Sequence, residues 1–307
     1  MRIAILDLGT NTFNLLIADY TSKDNFQILF KTKRSVKLGQ NGINEKIITS
    51  EAFERGLKAL RNHNDLIQKH NVEKTFAFAT SAIRNAKNGS DFVAAIKLEF
   101  NIEVTVITGE NEAELIYYGV KQAVNLTSEK VLILDIGGGS NEFIIANNNE
   151  IFWKQSFNLG IARLIEKFPP SNPIKKEEIE TIHIYLEATL DSLFEALNTY
   201  PITTLVGASG SFDTLRRLNS KTYEAPDTIR DIPFYEISIE KYLELHKILI
   251  NSTTEERIQM KGLELMRVEM IVLASIFINF IVSKAKIKRL IQSDYALKEG
   301  VIKFIEI

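Results

Sequence analysis

The chain has 307 residues, of which 45% are hydrophobic and 25% are charged, and its formal net charge is −2 at pH 7. This length fits one large domain or two smaller ones with a sizeable buried core. The near-neutral charge excludes a protein with a globally basic nucleic-acid-binding surface. The absence of cysteine excludes disulfides, zinc–thiolate sites and cysteine nucleophiles.

The N-terminus and the apolar segments predict a cytoplasmic protein without a membrane partner, and the charge balance predicts that it has no nucleic-acid partner. The N-terminal sequence MRIAILDLGT begins directly with a strand pattern and lacks the basic, apolar and small-residue regions of a signal peptide. The longest apolar run, MIVLASIFINFIV at 270–282, is too short to span a bilayer and is interpreted as a buried core helix. The apolar C-terminal helices are also compatible with a homodimer.

Strands and helices are predicted to alternate along the first half of the chain. Apolar spacing predicts a helix at about 50–70, a buried strand at 75–80, and a helix at 90–100 with Ser90 as its N-cap. The segment EVTVIT is a further predicted strand. TGENEAELIYYGVKQAV then opens a helix with acidic residues in its first turn, where they favour the helix dipole.

The second half follows the same order. Strands are predicted around 131–157, and helices from about 175 to 198. TTLVGASGS is predicted to be a strand followed by a glycine-rich turn. Helices follow from about 238 to 283, and a strand and a helix close the chain. The alternation of strands and helices in both halves predicts an α/β fold.

An internal repeat supports two similar halves. The segment AILDLGTNTFNLLIAD begins at residue 4, and LILDIGGGSNEFIIAN begins at residue 132. In this alignment Asp7 matches Asp135, and Gly9 matches Gly137. Two unrelated hairpins would not explain why an Asp, a Gly and a hydroxyl residue (Thr12 and Ser140) fall at the same positions of both segments. The spacing is about one domain long, so we predict two similar lobes with a cleft between them.

The two repeated loops are candidate phosphate-binding sites. Three consecutive glycines at 137–139 expose backbone N–H groups that can surround an anion, and Ser140 adds a hydroxyl donor. The loop is neither a Walker A nor a Rossmann motif, because no GK[ST] follows and a strand comes next. Thr10, Asn11 and Thr12 offer the same donors from the other lobe. Two facing loops can hold a chain of phosphates.

Carboxylates beside the glycine loop predict a magnesium ion. Asp135 and Glu142 flank the loop and would repel a phosphate unless a hard cation lay between them. Mg²⁺ binds carboxylate, phosphate and water oxygens together, so it is the predicted cofactor.

Seven sequence blocks resemble, in order, those of the Ppx/GppA family of exopolyphosphatases and guanosine pentaphosphate phosphohydrolases. The blocks are DLGTNTFNLLI, ATSAIRNAKN, TGENEAELIYYGV, DIGGGSNE, SFNLGIARL, GASGSFDTL and SDYALKEGV. The resemblance implies the actin/Hsp70/sugar-kinase (ribonuclease H-like) superfold. We expect lobe I to comprise 1–120 with the C-terminal helix at about 294–307, and lobe II to comprise 121–293.

The resemblance also implies roles for individual residues. Glu112 matches the general base that activates the attacking water, a task suited to a carboxylate near a helix start. The metal- or water-positioning residues would be Asp7, Asp135 and Glu142. The phosphate-binding residues would be Gly9, Thr10, Asn11, Arg84, Gly137, Gly138, Gly139, Ser140, Gly210 and Ser211.

Several of these assignments have simpler alternatives. Glu112 could be only a carboxylate that favours the helix dipole, and Arg84 could belong to a surface ion pair. Glu110 is interpreted as a solvated acid of the same turn. The basic groups at 31–34 and 286–289 are interpreted as solvated edges.

The chain departs from the family pattern at a few positions. The substituted residues are Asn111, Asn141, Glu269, Ala296 and Lys298. These substitutions leave the carboxylates Glu112, Asp135 and Glu142 intact. We expect them to change the rate and the substrate preference more than the class of reaction. Longer members of the family carry an additional C-terminal helical region with an HD-type fold, which this sequence is not expected to contain. We therefore expect shorter phosphate chains, or another phosphoanhydride, to be suitable substrates.

The leading hypothesis is a Mg²⁺-dependent hydrolase that releases terminal orthophosphate from inorganic polyphosphate. The nearest alternative is the hydrolysis of guanosine pentaphosphate, which presents the same terminal anhydride. An alternative of another class is a non-catalytic sensor that binds the guanosine alarmone. A kinase is a weaker hypothesis because it rests on the superfold alone.

Overall fold

A computed structural model describes residues 1–23, 25–223 and 232–305. The strands are β1 Arg2–Leu8, β2 Thr12–Ser22, β3 Asn25–Ser35, β4 Lys74–Ala79, β5 Val104–Val106, β6 Val131–Ile136, β7 Asn141–Ala146, β8 Ile151–Phe157, β9 Thr204–Ala208, β10 Phe234–Ile237 and β11 Arg289–Ser293. The helices are α1 Ser50–Lys69, α2 Ser81–Asn85, α3 Gly89–Phe100, α4 Gly109–Ala123, α5 Ile161–Lys167, α6 Lys176–Thr189, α7 Asp191–Thr199, α8 Ser209–Tyr223, α9 Ile239–Asn251, α10 Thr254–Gln259, α11 Ile271–Lys284 and α12 Leu297–Val301.

The strands form two mixed sheets with matching topology. The first sheet has the order β3-β2-β1-β4-β5, and the second has the order β10-β11-β9-β6-β7-β8. In the first sheet β1 pairs antiparallel with β2 and parallel with β4. In the second sheet β6 pairs in the same way with β7 and β9. The repeated pattern confirms the predicted α/β fold with two similar lobes.

Each sheet has a core of its own on one face. In the first lobe Leu60 of α1 and Phe92 of α3 pack with Leu6 and Leu15 of the sheet. In the second lobe a larger core surrounds α11, whose Phe277 lies 6.1 Å from Phe143 of β7 between ring centroids. The predicted buried core helix is therefore confirmed.

The apolar run of α11 is buried within the chain itself, so the run alone gives no support for a homodimer. No helix within the described ranges is both long and apolar enough to cross a membrane.

The remaining faces of the two sheets are covered by α4 and α12. Ile116 and Val120 of α4 pack with Ile133 of the second sheet. In the first sheet Ile3 packs with Ile302, which directly follows α12. Because α4 also packs against the second sheet, the expected lobe boundaries stay a prediction. Residues 306 and 307, the end of the expected C-terminal helix, lie outside the described residues.

Two glycines allow α4 and α12 to cross in direct backbone contact. A Cβ atom at Gly119 would lie 1.9 Å from the carbonyl oxygen of Ala296. A Cβ atom at Gly300 would lie 1.8 Å from the carbonyl oxygen of Leu115. Real Cβ atoms do not approach an oxygen so closely, so this crossing requires glycine on both helices. The crossing fixes the position of α4.

Two local expectations differ from the structure, and one helix was not expected. Ser90 is not the N-cap of α3, because the helix begins one residue earlier and Asn88 occupies the cap position. The Asn88 side chain instead bonds the backbone N–H and carbonyl of Ile48. The glycine-rich turn expected after β9 is absent from this described segment, because α8 begins at once at Ser209. The short helix α5 was not predicted.

Candidate active site

The two repeated loops meet in the cleft between the lobes, at the ends of β1 and β6. A Cβ atom at Gly138 would lie 2.7 Å from the side-chain amide of Asn11. A Cβ atom at Gly139 would lie 2.6 Å from Thr10 Oγ1 and 2.7 Å from Ser81 Oγ. The glycines therefore do more than expose backbone N–H groups, because they also leave room for the side chains of the opposite lobe. Any side chain there would push the opposite lobe away.

Most of the residues predicted for the site line this cleft. They are Asp7, Gly9, Thr10, Asn11, Glu112, Asp135, Gly137, Gly138, Gly139, Ser140 and Gly210. Arg84 and Glu142 are not among the lining residues: Arg84 is paired with the lining Glu112, and Glu142 accepts a hydrogen bond from Ser156. Ser211 is buried in the first turn of α8 and is not brought into the cleft.

Glu112 is held at the start of α4. Thr108 caps this helix by accepting a hydrogen bond from the backbone N–H of Asn111. Glu112 is 8% exposed, and its Oε2 accepts a hydrogen bond of 2.8 Å from Nη1 of Arg84. The same Nη1 donates to the carbonyl of Ile107 at 2.9 Å. Arg84 is therefore a largely buried partner of Glu112 and not a surface ion pair. Glu110, in contrast, is exposed, as expected.

Burial dominates the electrostatics of Glu112. Loss of hydration raises the pKa of Glu112 to about 7, against the opposing effect of Arg84. Asp135 and Asp7 raise it further by charge repulsion. A carboxyl group with a pKa near neutrality can both accept and return a proton at physiological pH, which a carboxylate serving only the helix dipole would not need.

Three more carboxyl groups lie close by, of which Asp135 and Glu142 are buried and Asp7 is half-buried. Asp135 accepts a hydrogen bond of 2.6 Å from Ser209, and burial raises the pKa of Asp135 to about 6. Glu142 accepts a hydrogen bond of 2.7 Å from Ser156. Burial and the nearby Glu112 raise the pKa of Glu142 well above its usual value. Asp7 accepts a hydrogen bond from Asn14, and burial also raises its pKa.

This concentration of negative charge fits a cation bound together with its ligand. Within the described ranges, no three His, Asp or Glu side chains are grouped so that they could hold a metal ion alone. Mg²⁺ does not need such a group, because it is commonly held by one or two carboxylates together with phosphate and water oxygens. Asp7 and Asp135, which line the cleft, are therefore compatible with a Mg²⁺ ion held in this way.

Thr10 provides an independent indication of an anion. Its Oγ1 is buried in the wall of the cleft and has no hydrogen-bond partner. A buried polar atom without a partner costs free energy unless a ligand or water satisfies it. A phosphate oxygen placed between the loops would satisfy it.

The structure adds cleft residues that the sequence analysis did not predict. They are Asn14, Lys33, Thr80, Ser81, Ser209, Asp213, Arg267, Asp294 and Lys298. Lys33 was expected to be a solvated edge, yet it lines the cleft and contacts Glu264 at 2.9 Å. Lys31, expected to be solvated as well, contacts the buried Glu299 at 2.8 Å.

Some of these missed residues carried a signal in the sequence. Asp213 and Lys298 lie within the quoted blocks GASGSFDTL and SDYALKEGV, so the blocks could have identified them. Lys33 lies in an alternating strand and had no such signal.

The burial of Asp135 predicts a measurable dependence of stability on pH. In metal-free protein the unfolded chain releases this proton near pH 4, whereas the folded protein keeps it until about pH 6. Folding therefore loses up to about 3 kcal/mol as the pH rises between these values. We expect Asp135→Asn to be more stable than the wild type, by an amount that grows from pH 4 to pH 6 and then stays constant.

Urea unfolding in EDTA at several pH values checks this expectation, with the exposed Asp65→Asn as the control. A stability difference for Asp135→Asn that shows no change over this pH range would contradict the assigned burial effect.

The sequence that forms this site matches a known protein family. Residues 16–305 match the model of the Ppx/GppA phosphatase family. The chain belongs to the Ppx/GppA phosphatase family.

Among Ppx/GppA relatives of known structure, an exopolyphosphatase from Cytophaga hutchinsonii superposes with a TM-score of 0.95 at 38% identity. That match covers 100% of this chain and 99% of the relative. A Ppx/GppA enzyme from Aquifex aeolicus has a TM-score of 0.80 at 27% identity and covers 99% of both chains.

Curated relatives agree with this assignment. Exopolyphosphatase 1 of Mycobacterium bovis is 25% identical over 303 residues, which are 98% of this chain and 87% of that protein. A bifunctional 3-dehydroquinate synthase/phosphatase of Fusobacterium nucleatum is 37% identical over 179 residues. That match covers 56% of this chain and 27% of the bifunctional protein, so the chain spans only about a quarter of that relative. The predicted membership of the Ppx/GppA phosphatases is confirmed.

Proposed function

We propose that this protein is a Mg²⁺-dependent exopolyphosphatase that hydrolyses the terminal phosphoanhydride bond of inorganic polyphosphate. The observation that carries the proposal is the buried Glu112, with a pKa of about 7, in a cleft formed by two facing phosphate loops. The exopolyphosphatases among its relatives support the same reaction.

In the proposed reaction Glu112 takes a proton from the water that attacks the terminal phosphorus. A base is most effective when its pKa is close to the working pH, and in the metal-free protein burial raises the pKa of Glu112 in that direction. Arg84 restricts the carboxylate to one orientation through the bond to Oε2. The water oxygen bonds to the terminal phosphorus as the bond from that phosphorus to the bridging oxygen breaks. The shortened polyphosphate leaves with the bridging oxygen, the attacked phosphorus becomes orthophosphate, and Glu112 returns its proton to a departing product or to solvent.

The loops would bind the phosphates from both sides. The backbone N–H groups of Gly138 and Gly139 and the hydroxyl groups of Ser140 and Thr10 are suitable donors to phosphate oxygens, whereas the N–H of Gly137 donates to the carbonyl of Ser140 within the loop. Asp7 and Asp135, which line the cleft, would hold Mg²⁺ beside those oxygens. The bound ion would supply charge neutralisation as the bond to the leaving group breaks.

Guanosine pentaphosphate remains the alternative substrate, because its terminal anhydride is the same group. A non-catalytic alarmone sensor is the alternative of another class, and the intact Glu112 disfavours it. Both alternatives share the cleft, so only substrate comparison separates them.

The deciding experiment measures orthophosphate release with Mg²⁺ from short polyphosphate, long polyphosphate and guanosine pentaphosphate. We expect faster release from polyphosphate than from guanosine pentaphosphate. A clear preference for the nucleotide would favour the first alternative. Tight nucleotide binding without phosphate release from any of the three would favour the sensor.

A further inference from the structure

A second inter-lobe connection lies beside the phosphate loops. Helix α5 follows β8, the second strand after the second loop, and Arg163 lies in its first turn. Arg163 Nε donates a hydrogen bond of 2.7 Å to the carbonyl of Gly139 in the phosphate loop. Its Nη1 donates a hydrogen bond of 2.9 Å to the carbonyl of Ile43 in the first lobe. One guanidinium group therefore connects the phosphate loop of one lobe to the backbone of the other.

Glu166, three residues further along α5, strengthens the same connection. Its carboxylate accepts hydrogen bonds from the backbone N–H groups of Gly42 at 3.2 Å and Asn44 at 3.4 Å. The Asn44 side chain donates to the carbonyl of Arg163 at 3.4 Å. The turn at 38–46 is thus bonded by both charged side chains and by the backbone of α5.

The turn at 38–46 is in turn bonded to the first phosphate loop. The backbone N–H groups of Leu38 and Gly39 donate to the carbonyl of Thr10 at 2.7 and 3.4 Å. A continuous chain of hydrogen bonds therefore runs from Gly139 through Arg163 and the turn to Thr10. If the lobes separated, Arg163 would have to release one of its two carbonyl partners.

We propose that Arg163 and Glu166 form an inter-lobe clasp, and that Arg163 is a positioning residue for the second phosphate loop in the closed cleft. In a planar trans peptide the carbonyl and the following N–H point in opposite directions. By holding the carbonyl of Gly139, Arg163 fixes the direction of the N–H of Ser140, a residue that lines the cleft. The kinetic consequence of the clasp rests on the proposed function, whereas its effect on lobe separation does not.

The first measurement is the distance between the lobes. The chain has no cysteine, so Lys58→Cys in α1 and Glu177→Cys in α6, both at exposed positions, can carry a pair of spin labels. We expect Arg163→Met to broaden the inter-lobe distance distribution towards longer values. Arg163→Lys retains only one donor group and should give an intermediate result. An unchanged distribution in Arg163→Met would overturn the clasp.

The second measurement is steady-state kinetics on polyphosphate. We expect Arg163→Met to lower kcat/KM about tenfold, because misplaced binding groups reduce the rate steeply. Arg61→Met, which removes an exposed ion pair with Glu99 on the first lobe, should leave kcat/KM unchanged. Wild-type kinetics in Arg163→Met would disprove the positioning role.

Two further comparisons keep the outcomes separate. If Arg163→Met fails to fold, Glu166→Ala removes the other half of the clasp and should lengthen the distances in the same way. If the wild type releases no orthophosphate from any substrate, the proposed function fails, and the distance measurement alone decides the clasp.

Discussion

Glu112→Gln is expected to reduce kcat for orthophosphate release by about a hundredfold or more, with a much smaller change in KM. Glutamine has the same shape and can still accept the hydrogen bond from Arg84, but it cannot take a proton from water. The loss of a general base typically costs between about 10²-fold and 10⁴-fold in rate. The measurement is steady-state phosphate release with Mg²⁺ and the best of the three substrates.

The matched control for this prediction is Glu110→Gln. Both carboxylates lie in the first turn of α4, but Glu110 is exposed to solvent whereas Glu112 faces the cleft. Glu110→Gln should therefore retain nearly full activity while changing the charge of the helix start in the same way. An equal loss of kcat in the two variants would assign the effect to the helix dipole. Full activity in Glu112→Gln would show that Glu112 is not the base.

Gly119→Ala is expected to destabilise the protein by about 3 kcal/mol, although alanine favours a helix more than glycine does by about 1 kcal/mol. The new methyl group would lie 1.9 Å from the carbonyl oxygen of Ala296. The oxygen belongs to the backbone at the start of α12, so α4 and α12 must move apart. Because α4 and α12 each pack against a sheet, both cores lose contacts.

Urea or thermal unfolding measures this effect. Asn111→Ala is the control, because it places alanine at an exposed position of the same helix and meets no backbone atom. We expect this control to be neutral or slightly stabilising. Gly300→Ala should reproduce the loss, since its methyl group would lie 1.8 Å from the carbonyl of Leu115. Wild-type stability in both glycine variants would show that the helices do not cross at this spacing.

The motif residues were predictable because their roles are local. A short loop with glycines and hydroxyl groups binds phosphate through its own backbone, and the carboxylates beside it follow a few residues away in the chain. For that reason Thr10, Asn11, Asp135 and residues 137–140 were found from the sequence, and all of them line the cleft. The repeated strand–loop–strand pattern likewise predicted two sheets with matching topology.

Local patterns were less reliable where one residue type serves several purposes. Ser90 and Asn88 are both good helix caps. In the structure Asn88 occupies the cap position, but its side chain bonds the distant backbone of Ile48, a contact that the local sequence does not reveal. The segment after β9 contains small residues typical of a turn, but α8 begins directly at Ser209. Propensity alone does not decide between such alternatives, because tertiary contacts override it.

The amino-acid pattern predicted the class of fold, the two loops that meet in the cleft and the place of Glu112 at the start of α4. How these groups are charged and held depends on tertiary contacts. Such contacts join distant parts of the chain: Arg84 pairs with Glu112, Lys33 lines the cleft, and Arg163 bonds the carbonyl of Ile43. Burial raises the pKa of Glu112 through the atoms that surround it in space, and no local pattern of residues records that environment.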